Sequence, residues 1–228
     1  MSDPESMQGI NDYWRQLDDG EIAAGQHREM VGGLWDDLGR LQLERLLADG
    51  LQPSHQLLDV GCGALRGGLH FVRFLDPGHY CGLDVNPSLL AAGRHELDLA
   101  GLTDRDPMLI EDAQFEVGRF DRQFEWAMAQ SVFTHLPINL VILCLAKVAE
   151  VLTPKGRFYA TFFRAPRPAC LETLVHQPGG AQTQYHRDIF HYAAEEMEWM
   201  GRVAGLETEV VGDWGHPRAQ QLVIYHLP

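Results

Sequence analysis

The chain has 228 residues, and the segment best suited to chemistry is Leu57-Leu58-Asp59-Val60-Gly61-Cys62-Gly63-Ala64-Leu65-Arg66-Gly67-Gly68. A short apolar run is closed by glycines, and these open onto a helical pattern. Gly61 and Gly63 lack Cβ atoms, so the backbone can turn sharply and a ligand can lie against it. Asp84 follows Gly63 by 21 residues, at the end of the next apolar run. A carboxylate at that place and spacing accepts hydrogen bonds from two vicinal ribose hydroxyls. The pair points to an adenosine-containing ligand at the carboxyl end of a parallel sheet. A dinucleotide pyrophosphate would ask for a third glycine where Arg66 stands, which disfavours a nucleotide-dependent oxidoreductase.

Histidines form the second set. His135 lies in Ser131-Val132-Phe133-Thr134-His135-Leu136-Pro137, where an imidazole can deprotonate or orient an acceptor hydroxyl near neutral pH or simply brace the turn before Pro137. A loop carrying Tyr185, His186, Arg187, His191 and Tyr192 concentrates aromatic and imidazole groups, which favours a site. His216 stands beside Trp214, in a turn that reads as structural. Near the start, Tyr13, Trp14 and Arg28 either close over a site or pack on the sheet. Cys62 has no partner base in view and reads as a small filler.

These groups need elements to hold them. Residues 34–50 carry one apolar stripe at helical spacing, and residues 7–33 read as helical with a break at Gly32-Gly33. Buried-strand patterns follow at 56–60, 79–85, 107–111, 125–130 and 156–163, alternating with helical segments. Asn86-Pro87-Ser88 is a helix start, with Asn as cap and Pro in the first turn. This alternation implies a parallel sheet covered by helices. The last two strand patterns, 206–212 and 219–227, leave no room for a crossover helix and must run antiparallel.

Composition excludes several classes. The formal net charge is −14, from 18 Lys and Arg against 32 Asp and Glu, and such a surface repels nucleic-acid phosphates and anionic lipid. No apolar run is long enough to span a bilayer, and Met1 to Trp14 shows no basic start before an apolar stretch, so no secretory signal is expected. Four separated cysteines without a CxxC pair are neither a disulfide scaffold nor a zinc cluster, and a reducing cytoplasm is the expected setting.

The segments LLDVGCGALRGG, CGLDVNPSLL, IEDAQFEV and FEWAMAQSVFTHLP together resemble the class I S-adenosylmethionine-dependent methyltransferases. The resemblance runs over residues 56 to 165 and implies an α/β, Rossmann-like seven-stranded sheet, mostly parallel with an antiparallel C-terminal hairpin. An N-terminal helical lid (1–52) would precede a methyltransferase domain (53–228), whose insertion at 165–190 contributes to the acceptor site. It also implies S-adenosyl-L-methionine as methyl donor and S-adenosyl-L-homocysteine as product; some related O-methyltransferases bind Mg²⁺ through two Asp and an Asn, but Glu125 to Ser131 supplies no carboxylate next to the site, so no metal is expected. By the same likeness Gly61, Cys62 and Gly63 lie under the methionine part, with Asp59 holding the loop in shape. Arg66 reaches the cofactor carboxylate or lies on the helix surface. Asp84, with Val85 beside it, meets the ribose, Asp112 and Ala113 the adenine, and Gln130 and Ser131 the amino and methyl groups. His135 and His186 are the candidate catalytic residues, and Tyr13, Trp14, Tyr185 and His191 the candidate acceptor contacts. Many members carry a third glycine where this chain has Leu65. The implied activity is in-line methyl transfer to an oxygen or nitrogen of a small molecule. A protein or peptide acceptor, or a scaffold that binds the cofactor without transfer, are the alternatives.

Overall fold

Strand formation begins where the apolar runs predict it. The computed structural model describes residues 13–178, 180–183 and 187–228, which group into two units, 13–113 and 114–228.

In the first unit, β1 (Leu57–Val60), β2 (Tyr80–Asp84) and β3 (Met108–Glu111) run parallel in the order β3-β2-β1. β1 and β2 are buried throughout, which explains their unbroken apolar character. α4 (Gly68–Phe74) and α5 (Pro87–Leu99) make the two crossovers. Asn86 caps α5 by accepting from the backbone N–H groups of Ser88 at 2.9 Å and Leu89 at 3.3 Å, as the sequence anticipates. Upstream lie α1 (Asp19–Ala23), α2 (Gln26–Met30) and α3 (Trp35–Ala48). The long helix expected over residues 7–33 is instead two short ones, and the part of that span before Tyr13 lies outside the described residues. The cause is local. Asp18 and Glu21 form a capping box that starts α1 only at Asp19, and Gly25, at φ +75°, ends it.

In the second unit, β4 (Phe124–Ala129) pairs parallel with β5 (Leu152–Arg164), and β5 pairs antiparallel with β8 (Gln221–His226). β8 in turn pairs antiparallel with β7 (Glu207–Asp213). α6 (Ile138–Ala149) links β4 to β5, and α7 (Ala194–Val203) precedes the hairpin. These strands are buried on both faces: Trp126 of β4 stacks on Tyr159 of β5 on one, and Phe158 of β5 meets Tyr225 of β8 on the other. β5 starts at Leu152, four residues before the Gly156 expected to open it, and a register shift against β4 absorbs the extra length.

The mostly parallel strands with a reversed final pair are the Rossmann-like α/β arrangement expected. One strand is additional: β6 (His191–Tyr192), two residues long, lies parallel to the end of β5.

Candidate active site

The turn after β1 is held from both sides. The backbone N–H groups of Gly61 and Cys62 both donate to the carbonyl of Leu83, at 2.8 and 3.0 Å, which ties the loop to β2. Gly61 and Gly63 adopt φ of +68° and +53°, conformations that cost most L-residues strain. Leu65 shares that region at φ +66°, which accounts for the glycine that many family members carry there. Its side chain fills the space in which a Cβ on Gly68 or Gly93 would lie, within 2.8 Å of each such Cβ. The two glycines make room for the leucine, and its packing offsets the backbone strain.

Asp84 ends β2 with its carboxylate plane fixed. One oxygen accepts from Gly63 N–H at 2.8 Å and the other from Asn86 N–H at 2.9 Å. Burial pushes this carboxyl above its ordinary range, and the backbone amides of Asn86, Gly63 and Val85 pull it back. Asp112 N–H donates to Asp84 O at 3.0 Å, so the end of β3 stands beside the end of β2. Val85 is half-buried and Ala113 exposed. Asp59 sits below the loop. Burial raises its carboxyl to about 7, against the lowering hydrogen bond from Tyr80, while the nearby Asp84 charge raises it further. The Tyr80 hydroxyl donates to it at 2.6 Å. The Cys62 thiol is buried against Gly82, and burial pushes it well up, so it remains a thiol, as a filler would.

The N-terminal segment is bound tightly to this unit. Asn86 Nδ2 donates to the carbonyls of Tyr13 at 2.6 Å and Arg15 at 2.9 Å. Arg66 is buried and donates to the carbonyls of Val31 at 2.7 Å and Gly33 at 3.1 Å. Glu96 accepts a two-pronged ion pair from Arg28, at 2.7 and 2.8 Å, and a contact from His27 Nε2 at 2.7 Å. Burial alone would raise the Glu96 carboxyl, but Arg28 and His27 outweigh it and hold it below the usual range. Tyr13, Met30, Val31 and Trp35 pack on a buried cluster that includes Leu17, Ala64 and Leu89. The indole N–H of Trp14 is buried without a partner among the described residues.

In the second unit, the end of β4 is set in a buried polar network. Ser131, at φ +60°, donates its N–H to Thr161 Oγ1 at 2.7 Å, and that hydroxyl donates to Gln220 Oε1 at 2.7 Å. Gln130 Nε2 lies 2.9 Å from Ser131 Oγ, 3.0 Å from His216 Nε2 and 3.3 Å from Gln220 Oε1. Gln130 Oε1 is buried and meets no partner among the described residues. His216 is anchored in turn by the N–H of Arg218, which donates to its Nδ1 at 3.1 Å. Thr134 Oγ1 donates to Ser131 O at 2.8 Å and carries the network to the turn that bears His135. There His135 Nδ1 meets Asp188 Oδ2 at 2.5 Å. His191 lies over Phe163, with ring centroids 5.3 Å apart. Burial and the neighbouring His176 push its imidazole down to about 4, so it is neutral at physiological pH. Tyr185 and His186 lie outside the described residues. No group of three or more His, Cys, Asp or Glu among the described residues is placed to hold a metal ion.

Within the first unit the structure brings together Gly63, Asp84 and Asp112, and within the second Gln130, Ser131 and His216. Sequence reasoning missed Tyr80, Thr161, Asp188 and Gln220. Only Asp188 had a signal, as an acid inside the histidine-rich insertion.

Residues 58–158 match the family described as a methyltransferase domain. Residues 58–158 are thus a methyltransferase domain, as the resemblance to the class I S-adenosylmethionine-dependent methyltransferases implies. Solved structures of this kind share its fold at low identity. The CcbJ methyltransferase of Streptomyces caelestis superposes with a TM-score of 0.67 at 16% identity, covering 96% of this chain and 98% of its own. DesVI of Streptomyces venezuelae gives 0.64 at 18%, covering 94% and 100%. Magnesium protoporphyrin IX methyltransferase of Synechocystis, solved with S-adenosylmethionine bound, gives 0.61 at 11%, covering 95% and 88%. A methyltransferase domain needs polar groups for its methyl donor, and each unit holds one with acceptor capacity to spare. In the first, the Asp84 carboxylate takes the backbone N–H groups of Gly63, Asn86 and Val85 and, with four lone-pair sites, keeps room for a further donor; in the second, Gln130 Oε1 is buried without a partner among the described residues.

Proposed function

We propose that the chain transfers a methyl group from S-adenosyl-L-methionine to an oxygen or nitrogen of a small molecule. The observation that carries this reading is the Asp84 carboxylate, locked by two backbone amides at the mouth of the Gly61–Gly63 turn. Asp84 would take the two ribose hydroxyls, and Asp112 and Ala113 the adenine. Gly61, Cys62 and Gly63 would line the turn under the methionine part, with Asp59 and Tyr80 supporting it. Gln130 Oε1 would accept from the amino group, beside Ser131. When bound, this donor supplies a methyl already activated on a sulfonium, so aligning the acceptor behind it does much of the work.

The protein's remaining contribution is enclosure and, for a protonated acceptor, a base. The N-terminal segment, tied down through Asn86, Arg66 and Glu96, would exclude water, and Arg66 would position that segment. Tyr13, Trp14 and His191 would contact the acceptor, with Tyr185 and His186 as further candidates from the insertion. The strongly acidic charge supports a small-molecule acceptor over nucleic acid. No helix among the described residues is long and apolar enough to cross a membrane, and the four free cysteines favour a cytoplasmic setting.

Incubation of the purified chain with methyl-labelled S-adenosylmethionine and a library of small hydroxyl and amine compounds tests the reading. A compound gaining one methyl supports it. Cofactor binding with no labelled product anywhere in the library would leave a scaffold instead of an enzyme.

A further inference from the structure

The outer face of α7 departs from the pattern of a surface helix. Gly201 marks the inner face: a Cβ there would lie 2.2 Å from Thr208 Oγ1 and 2.9 Å from the Tyr225 ring, and Met197 and Met200 are buried beside it. Trp199 and Val203 each stand two positions from Gly201, about 200° around the helix axis, so both point away from the sheet. Polar groups belong at such positions, yet an indole 45% exposed and a valine 53% exposed hold them. Two exposed leucines lie on neighbouring segments. Leu143 is on α6, which packs beside α7. Leu171, 71% exposed, follows Ala169, whose N–H donates to Glu196 Oε1 at 2.9 Å. Charge flanks the apolar stripe. Glu195 and Arg202 are both exposed and stand two helical turns apart on one flank. Arg202 also follows Glu198 at the spacing of an intrahelical ion pair, but neither Arg202 nor Glu195 makes an ion pair among the described residues.

We infer that this face of α7 pairs antiparallel with the same face of a second copy of the chain, about a two-fold axis, to form a dimer. The stripe is complementary to its own reversal. A two-fold that runs two helices antiparallel sets each flank against the same flank of the copy. With the axis between positions 198 and 199, Arg202 of each copy stands against Glu195 of the other. The two Trp199 rings meet at the centre, offset as aromatic pairs prefer. Val203 then faces the start of α7 in the copy, the end to which the segment bearing Leu171 is tied. A parallel pairing would set Glu195 against Glu195 and Arg202 against Arg202, so the charges choose the antiparallel one. A partner of strong single charge fits less well, because the face carries both signs. α7 spans only about 15 Å. With its flanking leucines the face is at the small end of stable interfaces, so the dimer dissociates on dilution. The net charge of −14 repels a second copy, but at 0.15 M salt a screening length of about 8 Å confines that repulsion to groups near contact. None of these groups is assigned to the methyl donor or the acceptor, so the pairing does not depend on the methyl-transfer reading.

Sedimentation velocity of the full chain, from about 1 μM to about 300 μM protein, tests the pairing. Wild type should pass from monomer to dimer as concentration rises. Trp199→Glu and Arg202→Glu should each raise the dissociation constant roughly tenfold or more, since every change counts twice across the two-fold. Glu195→Arg should weaken the dimer in the same way. The double variant Glu195→Arg with Arg202→Glu should bring it back, because opposite signs again stand face to face. A merely local disturbance of α7 would not be rescued by a second reversal. Circular dichroism should show every variant folded as wild type is, all three positions being exposed. Wild type that stays monomeric over the whole range would overturn the inference. A dimer that withstands Trp199→Glu unchanged would do the same by placing the contact on another face, and a double variant no tighter than either single one would exclude the antiparallel register.

Discussion

The ends of β1 and β2 and the end of β4 reach order by different routes. Around Asp84, the decisive bonds join residues one strand–helix unit apart: Gly63 to Asp84 and Tyr80 to Asp59 each span 21 positions. Around Ser131, partners arrive from far along the chain. Asp188 is 53 positions from His135, Thr161 is 59 from Gln220, and Gln220 is 89 from Ser131. The first region is built by local spacing, and the second is assembled from an insertion and a final hairpin. Spacing along the chain can encode the first, while only tertiary packing brings the parts of the second together.

If that contrast is right, single changes should act differently in the two regions. The largest effect is expected at Leu65. Leu65→Gly relieves a left-handed residue, worth about 1–2 kcal/mol, but empties the space beside Gly68 and Gly93, which costs about 2–5 kcal/mol. The net expectation is a loss of about 2 kcal/mol by denaturant unfolding. A stabilised variant would show that the leucine is tolerated and not used.

Asp59 comes next. Its folded-state carboxyl, near 7, lies above the ordinary carboxylate value of about 3.9. The folded form therefore binds the extra proton between those values, and this contribution to stability is complete below about pH 4 and lost as pH rises toward 7. Asp59→Asn keeps an acceptor for Tyr80 and should flatten that decline. At pH 8 it should exceed wild type by something on the order of 1–3 kcal/mol. Matching pH–stability curves for the two proteins would contradict the burial argument.

The smallest effect of the three belongs to the second region. Thr161→Val strands the Ser131 N–H and removes one of the donors to Gln220 Oε1, costing about 1–2 kcal/mol. Because this network also frames the turn bearing His135, methyl-transfer rate should fall more than the small stability loss explains.

The same contrast decides what could be read in advance. The turn at Gly61 and Gly63 and its tie to Asp84 were legible because a sharp turn and an acid at a fixed separation are local patterns, and the structure gives both glycines positive φ and bonds Gly63 to Asp84. The Asn86 cap was legible for a similar reason, and so was the antiparallel hairpin, since its link is too short for a helix. The helix expected over residues 7–33 misled because its apolar spacing ignored the Asp18–Glu21 capping box and Gly25. Thr161 and Gln220 carried no local signal: a threonine within β5 and a glutamine before β8 look like ordinary strand positions until tertiary packing turns them toward Ser131. Arg66 was read as a cofactor contact or a surface residue. Its bonds to Val31 and Gly33 needed the N-terminal segment to be placed first.

The central claim is that the Asp84 carboxylate, with the turn at 61–63, holds an adenosyl group. Calorimetric titration of S-adenosylhomocysteine into wild type, Asp84→Ala and His135→Gln tests it most directly. Saturable binding is expected in wild type and His135→Gln, with affinity weakened roughly tenfold to a hundredfold in Asp84→Ala through lost charged hydrogen bonds. Wild-type protein that takes up no nucleoside, or an Asp84→Ala variant that binds it equally well, would contradict the account.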